Sequence, residues 1–211
     1  MSKPYQPVHP PYQREDVEIL SREDLYQGYF RAEKLTLRHR LYEGGWSETM
    51  GRELFVRGPA VVVGLYDPVH DTIGLIEQFR VGALDDPAGP WCLEVVAGMI
   101  ETDETPEAVA RRELLEEAGV EADSVEYIGH YYPSPGACNE VTHVVCAFAD
   151  LSEAVGVHGL DEEHEDIKVH VLPAQVVFDN LYGGRLNNAA ALIALQWLQL
   201  NRPRLRQNPP G

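Results

Sequence analysis

Basic residues are scarce in this 211-residue chain: 17 Lys and Arg stand against 34 Asp and Glu, a formal net charge of −17. That deficit excludes broad nucleic-acid binding, which needs a basic footprint. It also sets a condition on any anionic substrate, because bound cations and well-placed arginines must offset the field. Cysteine is nearly absent. Cys92, Cys138 and Cys146 are odd in number and show no metal-ligand spacing, so reduced cytosolic thiols are expected rather than a disulfide framework. No run approaches the ~18 consecutive apolar residues of a membrane span. The opening MSKPYQPVHPPYQRED has no apolar signal core, so a cytoplasmic protein without membrane attachment is expected. There is no internal repeat. A hydrophobic content of 44% is that of a globular chain, and 211 residues can bury a substantial core in one main domain with a small extension.

Residues 1–16 are rich in proline and polar groups and are expected to form a mobile arm. From Val17 to Arg57 short alternations, such as Tyr26 to Phe30 and Lys34 to His39, predict strands with a turn near Gly44-Gly45. Residues 60–66 read as a buried strand, with Thr72 to Phe79 as its hairpin partner. Trp91 to Val96 reads as one strand leading to Gly98. Val125 to Tyr131 and Val141 to Phe148 flank the turn Pro133-Ser134-Pro135-Gly136. Ile167 to Leu172 is the last expected strand. An amphipathic helix is predicted from Asn187 through Leu200, followed by a polar tail. Mixed strands and helices in this order indicate an α/β fold, a sheet packed by helices. The division expected is an N-terminal β domain with its arm over 1–57 and a main domain over 58–211.

The chemistry concentrates in GMIETDETPEAVARRELLEEAGV, Gly98 to Val120. Thr105-Pro106 is a helix start, a hydroxyl cap followed by proline where its missing N–H costs nothing. Gly119 suits the left-handed residue that ends a helix. Between them Glu113, Glu116 and Glu117 fall within an arc of about 100°, beside the apolar Ala110, Leu114, Leu115 and Ala118, which give the helix a face to bury. Like charges so placed repel by roughly 0.2–0.5 kcal/mol per pair on an exposed helix. A cation between them would turn repulsion into binding, and oxygen ligands alone suit Mg²⁺ or Mn²⁺ rather than zinc. Glu-rich helix faces are commonly just solvated, so the carboxylates do not decide the matter by themselves.

The whole spacing does. Gly98, five residues, Glu104, seven residues, Arg112-Glu113-Leu114, one residue, Glu116-Glu117, one residue, Gly119-Val120 matches every fixed position of the Nudix box. The chain therefore resembles the Nudix hydrolases, which cleave a nucleoside diphosphate linked to another moiety. The phrases LEVVAGMIE, SPG, HGLDEEHEDIKVHV and NNAAALIALQWLQL, and Pro135 some fifteen positions after the box, are similar to the branch that cleaves ADP-ribose.

The resemblance implies a Nudix α/β/α sandwich with a small N-terminal β domain exchanged across a homodimer. It implies Mg²⁺, with Mn²⁺ as an alternative, on Glu113, Glu116, Glu117, Glu165 and the Ala97 carbonyl. It assigns Glu163, in the acidic loop Asp161 to Asp166, as the base that activates water, with Glu162 as the alternative. His164, between them, would point away in an extended backbone and receives no role. Arg112 either pairs with Glu116 one turn on or, by resemblance, orients the box carboxylates. Arg52 and Arg80 suit phosphate oxygens through their forked guanidinium groups. Tyr29 is expected near the base, supplied by the partner subunit, and Met99 in the ribose pocket. Ser134 and Glu140 complete the substrate contacts. The expected reaction is hydrolysis of ADP-ribose to AMP and ribose 5-phosphate. Another nucleotide sugar such as GDP-mannose, or an ADP-ribose sensor that binds without cleaving, are the rival readings.

Overall fold

The computed structural model describes residues 11–210, so most of the expected arm, residues 1–10, lies outside the described residues. The chain divides into two compact units. The smaller comprises the N-terminal segment through Arg57 together with Ser134–Asn139. The larger comprises Gly58–Pro133 and Glu140–Gly211.

In the smaller unit β1 (Val17–Gln27), β2 (Arg31–His39) and β3 (Met50–Val56) form an antiparallel sheet in that order. Residues 28–30 are not strand but the bend between β1 and β2, closed by Gly28 N–H donating to the Phe30 carbonyl at 2.9 Å. Glycine at 44 and 45 supplies the positive φ, 92° and 80°, of the next turn. Ser134–Asn139 adds a short parallel bridge: Phe55 N–H donates to the Ala137 carbonyl, and Asn139 N–H to that of Phe55. Among its described residues only Glu33 is buried, held by Arg22 at 2.8 Å and Arg31 at 2.6 Å.

The larger unit contains β4 (Ala60–Asp67), β5 (Thr72–Phe79), β6 (Trp91–Glu94), β7 (Val96–Met99), α1 (Pro106–Ala118), β8 (Ser124–Tyr131), β9 (Thr142–Phe148), β10 (Val157–His158), β11 (Ile167–Pro173), α2 (Ala174–Asp179) and α3 (Ala189–Gln207). Its sheet runs β10-β11-β5-β4-β9-β8, with β6 on β5 and β7 on β4. Every residue of β4 is buried. Alternation sends Val62 and Tyr66 into a core with α2 and α3, and Val61, Val63 and Leu65 into a second core with α1. A sheet covered on both faces is the α/β/α sandwich the sequence predicts.

The larger unit departs from the sequence reading in several places. The single strand 91–96 is two strands, because the chain exchanges partners at Val95: Trp91–Glu94 pairs with β5 and Val96–Met99 with β4. The short α2 follows β11 without a break. The last helix does not stop at Leu200 but runs to Gln207 through Pro203. An interior proline costs about 3 kcal/mol. Tertiary contacts offset it: Leu205 is fully buried, Arg204 binds Glu126 at 2.9 Å, and Arg202 and Arg206 both bind Asp71. Tyr66 also donates to Asp71 at 2.8 Å, and these partners hold the Asp71 carboxyl below the usual range, the Arg202 hydrogen bond foremost. Asp71→Ala should therefore release the end of α3 and lower stability by about 2–4 kcal/mol in urea melts. A midpoint equal to the parent's would refute that role.

Among the described residues no helix is long and apolar enough to cross a membrane.

Candidate metal and pyrophosphate site

The box helix α1 begins and ends as its residues dictate. Thr105 accepts a hydrogen bond from Ala108 N–H at 3.2 Å, Pro106 follows, and Gly119 closes the helix at φ 64°. Val109, Ala110, Leu114 and Ala118 are buried against the sheet, whereas Leu115, expected on the same face, lies one residue round the helix from Leu114 and is exposed. This docking aims Glu113 and Glu117 at β7. Glu117 is 3% exposed and accepts from Ala97 N–H at 3.1 Å. Glu113 lies against Gly98 so closely that an added Cβ would sit 1.9 Å from its Oε1.

Arg112 holds the carboxylates together. It lies 2.8 Å from Glu113, 3.1 Å from Glu116 and 3.6 Å from Glu104. Glu104 in turn accepts from Glu101 N–H at 3.0 Å. Both sequence readings of Arg112 thus meet in one side chain: it pairs with Glu116 and bridges its neighbours. Arg80 binds Glu94 at 2.8 Å and acts favourably on the charge of Glu117.

Burial dominates the electrostatics of the box carboxylates. Burial pushes the Glu113 carboxyl up to about 7, against the pull of Arg112. Burial pushes Glu117 up to about 8, with the Ala97 hydrogen bond opposing and Glu113 and Glu165 adding to the rise. Two carboxylates reluctant to ionise, with oxygen-only donors around them, fit a divalent cation of the Mg²⁺ type.

The acidic loop reaches the same place. Gly159 N–H donates to the Glu116 carbonyl at 3.1 Å, tying the loop to the last turn of α1. Glu165 accepts from Leu160 N–H at 3.1 Å, and its charge acts on both Glu113 and Glu117. Asp161–Glu163 form a 3-10 turn that His164 ends at φ 57°. The backbone is therefore not extended here, and the alternation argument that turned His164 away does not apply. Glu162 and Glu163 are both exposed on that turn.

Met99 ends β7 at 41% exposure, and Glu140 accepts from the Thr142 hydroxyl at 3.2 Å. Tyr29, Arg52 and Ser134 belong to the smaller unit. There Tyr29 is 95% exposed at the β1–β2 bend, edge-on to Phe30. Arg52 is exposed on β3, and the Ser134 carbonyl accepts from the Ala137 and Cys138 amides. Glu94, which holds Arg80, and Gly159, which anchors the loop, are participants that motif reading passed over. Alternation along 91–94 was the available signal for Glu94.

A tighter trio exists elsewhere. Asp67, His70 and Asp150 place ligand atoms within 4.8 Å of one another. The Asp67 oxygens are already taken by the Val69, His70 and Leu151 amides and the His70 ring, so this trio is a turn lock. The box carboxylates have fewer donors, Arg112 on Glu113 and Glu116 and the Ala97 N–H on Glu117, while burial raises both Glu113 and Glu117.

The chain as a whole resembles known proteins. The NUDIX domain family model matches residues 56–192. The chain is 44% identical over 193 residues to a protein of Escherichia coli K12 named ADP-ribose pyrophosphatase, covering 92% of each. It is 32% identical over 191 residues to a GDP-mannose pyrophosphatase of Yersinia enterocolitica, covering 88% of this chain and 96% of the relative. A solved structure described as an ADP compounds hydrolase superposes with a TM-score of 0.70 at 22% identity, over 92% of this chain and 99% of that one, a likeness of fold. With the box, its helix and the sandwich in place, the chain belongs to the Nudix family.

Proposed function

We propose that this protein hydrolyses the pyrophosphate bond of ADP-ribose to AMP and ribose 5-phosphate. The observation that carries the proposal is the pair Glu113 and Glu117, buried against Gly98 and Ala97 and raised toward neutrality. The 44% likeness to an ADP-ribose pyrophosphatase supports the substrate.

Glu113, Glu116, Glu117, Glu165 and the Ala97 carbonyl would hold Mg²⁺, with Mn²⁺ as a substitute. The cation supplies charge neutralisation at the phosphates and a more acidic water. Arg112 keeps Glu113 and Glu116 in place and so positions ligands. Glu163 takes the proton as the water oxygen bonds to phosphorus and the bridging P–O bond breaks. Arg80 serves the phosphates and Met99 the ribose. The resemblance assigns Arg52 to the phosphates, Tyr29 to the adenine, and Ser134 and Glu140 to closing the site.

A homodimer is part of the reading. A three-stranded sheet with one buried residue among those described is too thin to stand without a partner. Neither nucleic acid nor membrane enters the reading, and the cytoplasm is the proposed location.

Glu163→Gln should lower kcat by about a hundredfold or more, the usual worth of a general base, and leave Mg²⁺ affinity near the parent's. Equal losses of both would reassign Glu163 to metal binding. The Yersinia relative favours a second reading, a pyrophosphatase for GDP-mannose. A panel of ADP-ribose, GDP-mannose, ADP-glucose and NADH with Mg²⁺, read as AMP or GMP released, separates the two. Preference for GDP-mannose would replace the first reading, and binding of ADP-ribose without release would make the protein a sensor.

A further inference from the structure

Gln78 is 6% exposed, yet its side-chain Nε2 has no hydrogen-bond partner among the described residues. Such an orphan calls for an explanation, because a buried donor loses its water and gains nothing. An apolar side chain of equal length would fill the position without that cost.

Its place in the sheet suggests the reason. Ile76 packs into the core beneath α1, so alternation puts Gln78 and Arg80 on that same face. Cys92 is its direct partner on β6, and Glu94, which binds Arg80, lies opposite Ile76. On the other side, one step beyond the Lys168–Glu77 pair, lies Ile167, where the acidic loop enters β11. Gln78 is therefore two residues from Arg80 along the chain and one register step past the Lys168–Glu77 pair, toward the residue where the acidic loop enters β11. It sits at the end of the sheet where Gly98 pairs with Val61. The other orphan, Ser124 Oγ, is paired with Phe148 at the opposite end of the sheet and has no such surroundings.

We propose that Gln78 is a substrate-contacting residue, whose amide donates a hydrogen bond to a non-bridging oxygen of the bound diphosphate. An amide turns about its last torsion at little cost, so the donor is available when a diphosphate oxygen arrives. Arg80, two residues on, supplies charge, and Gln78 supplies a neutral donor that adds no repulsion among the glutamates. The inference rests on the pyrophosphatase reading.

The test uses Gln78→Met and Gln78→Leu, with a methylene-bridged ADP-ribose that retains the phosphate oxygens but resists hydrolysis. Titration calorimetry with Mg²⁺ should show the parent binding it and both variants binding about tenfold or more weakly. Ligand-free thermal melts should show Tm values equal to or above the parent's, since an unsatisfied donor has been removed. With ADP-ribose itself the loss should fall on KM more than on kcat. Affinity within twofold of the parent's overturns the inference and leaves the enzyme reading standing. Lower Tm with unchanged affinity makes the amide structural and overturns it as well. A parent that binds no diphosphate overturns both readings together.

Discussion

Alanine at position 98 is expected to remove most of the metal-dependent turnover, about a hundredfold in kcat, while the protein still folds. The backbone at Gly98 lies outside the left-handed region, so alanine meets no conformational penalty there. What it meets is Glu113: the new Cβ would lie 1.9 Å from Oε1, 2.2 Å from Cδ and 2.4 Å from Cγ. Such distances cannot persist, and the flexible end of a glutamate gives way more readily than strand β7. The carboxylate must move by an ångström or more, and displacement of that size at a reacting centre costs about a hundredfold. The stability loss should be modest, about 1–3 kcal/mol for one extra methyl in a packed place. Turnover, Mg²⁺ titration and a thermal melt on the same sample decide the matter. Gly98→Ala with activity within threefold of the parent would mean that Glu113 is not held where its ligand role requires.

Glu117→Gln should be more severe, about a thousandfold or more in kcat, because several kcal/mol of transition-state stabilisation depend on the cation it would hold. The variant keeps the shape and removes the charge. Its ligand-free form should also behave differently with pH. The Glu117 carboxyl is pushed up to about 8 in the folded protein, against an unfolded value near 4.5. A raised pKa means that the folded state holds its proton more firmly than the unfolded one. That stabilisation is complete below about 4.5 and is lost as pH rises through about 8. The metal-free parent should thus grow less stable between pH 5 and pH 8.5, and Glu117→Gln should flatten the decline. Added Mg²⁺ competes with that proton, so its stabilising effect on the parent should grow over the same interval. A Tm shift with Mg²⁺ that is the same at pH 5.5 and pH 8 would contradict Glu117 as a ligand.

Legibility in the sequence followed the range of the forces involved. The box helix was readable because its determinants are local: the Thr105 hydroxyl, Pro106, the left-handed Gly119 and carboxylates three and four residues apart. Burial of β4 was readable from its apolar run. The break at Val95 was not, since Trp91 to Met99 has one strand-like pattern and only the divergence of β4 and β5 splits it. The end of α3 is hidden for the opposite reason. Locally, Asn201 to Gln207 is polar and contains a proline, and the helix persists there through Asp71 and Glu126, more than 70 residues distant in sequence. Composition marks the acidic loop, but nothing local signals the left-handed backbone of His164. Gln78 carried no sequence signal beyond membership of a strand.

The partner exchange at Val95 also makes this site sensitive to chain length. Successive strand residues face opposite ways, so one residue inserted or deleted between Glu94 and Ala97 would turn all of β7 over. Ala97 would then present a different edge to Glu117, and the space now left open at Gly98 would be occupied by a neighbour's side chain. Every carboxylate of the box would survive such a change. The spacing from Glu94 to Gly98 would thus govern the site as much as the glutamates do, though it adds no carboxylate to the box and the one ligand proposed within it is a backbone carbonyl, that of Ala97.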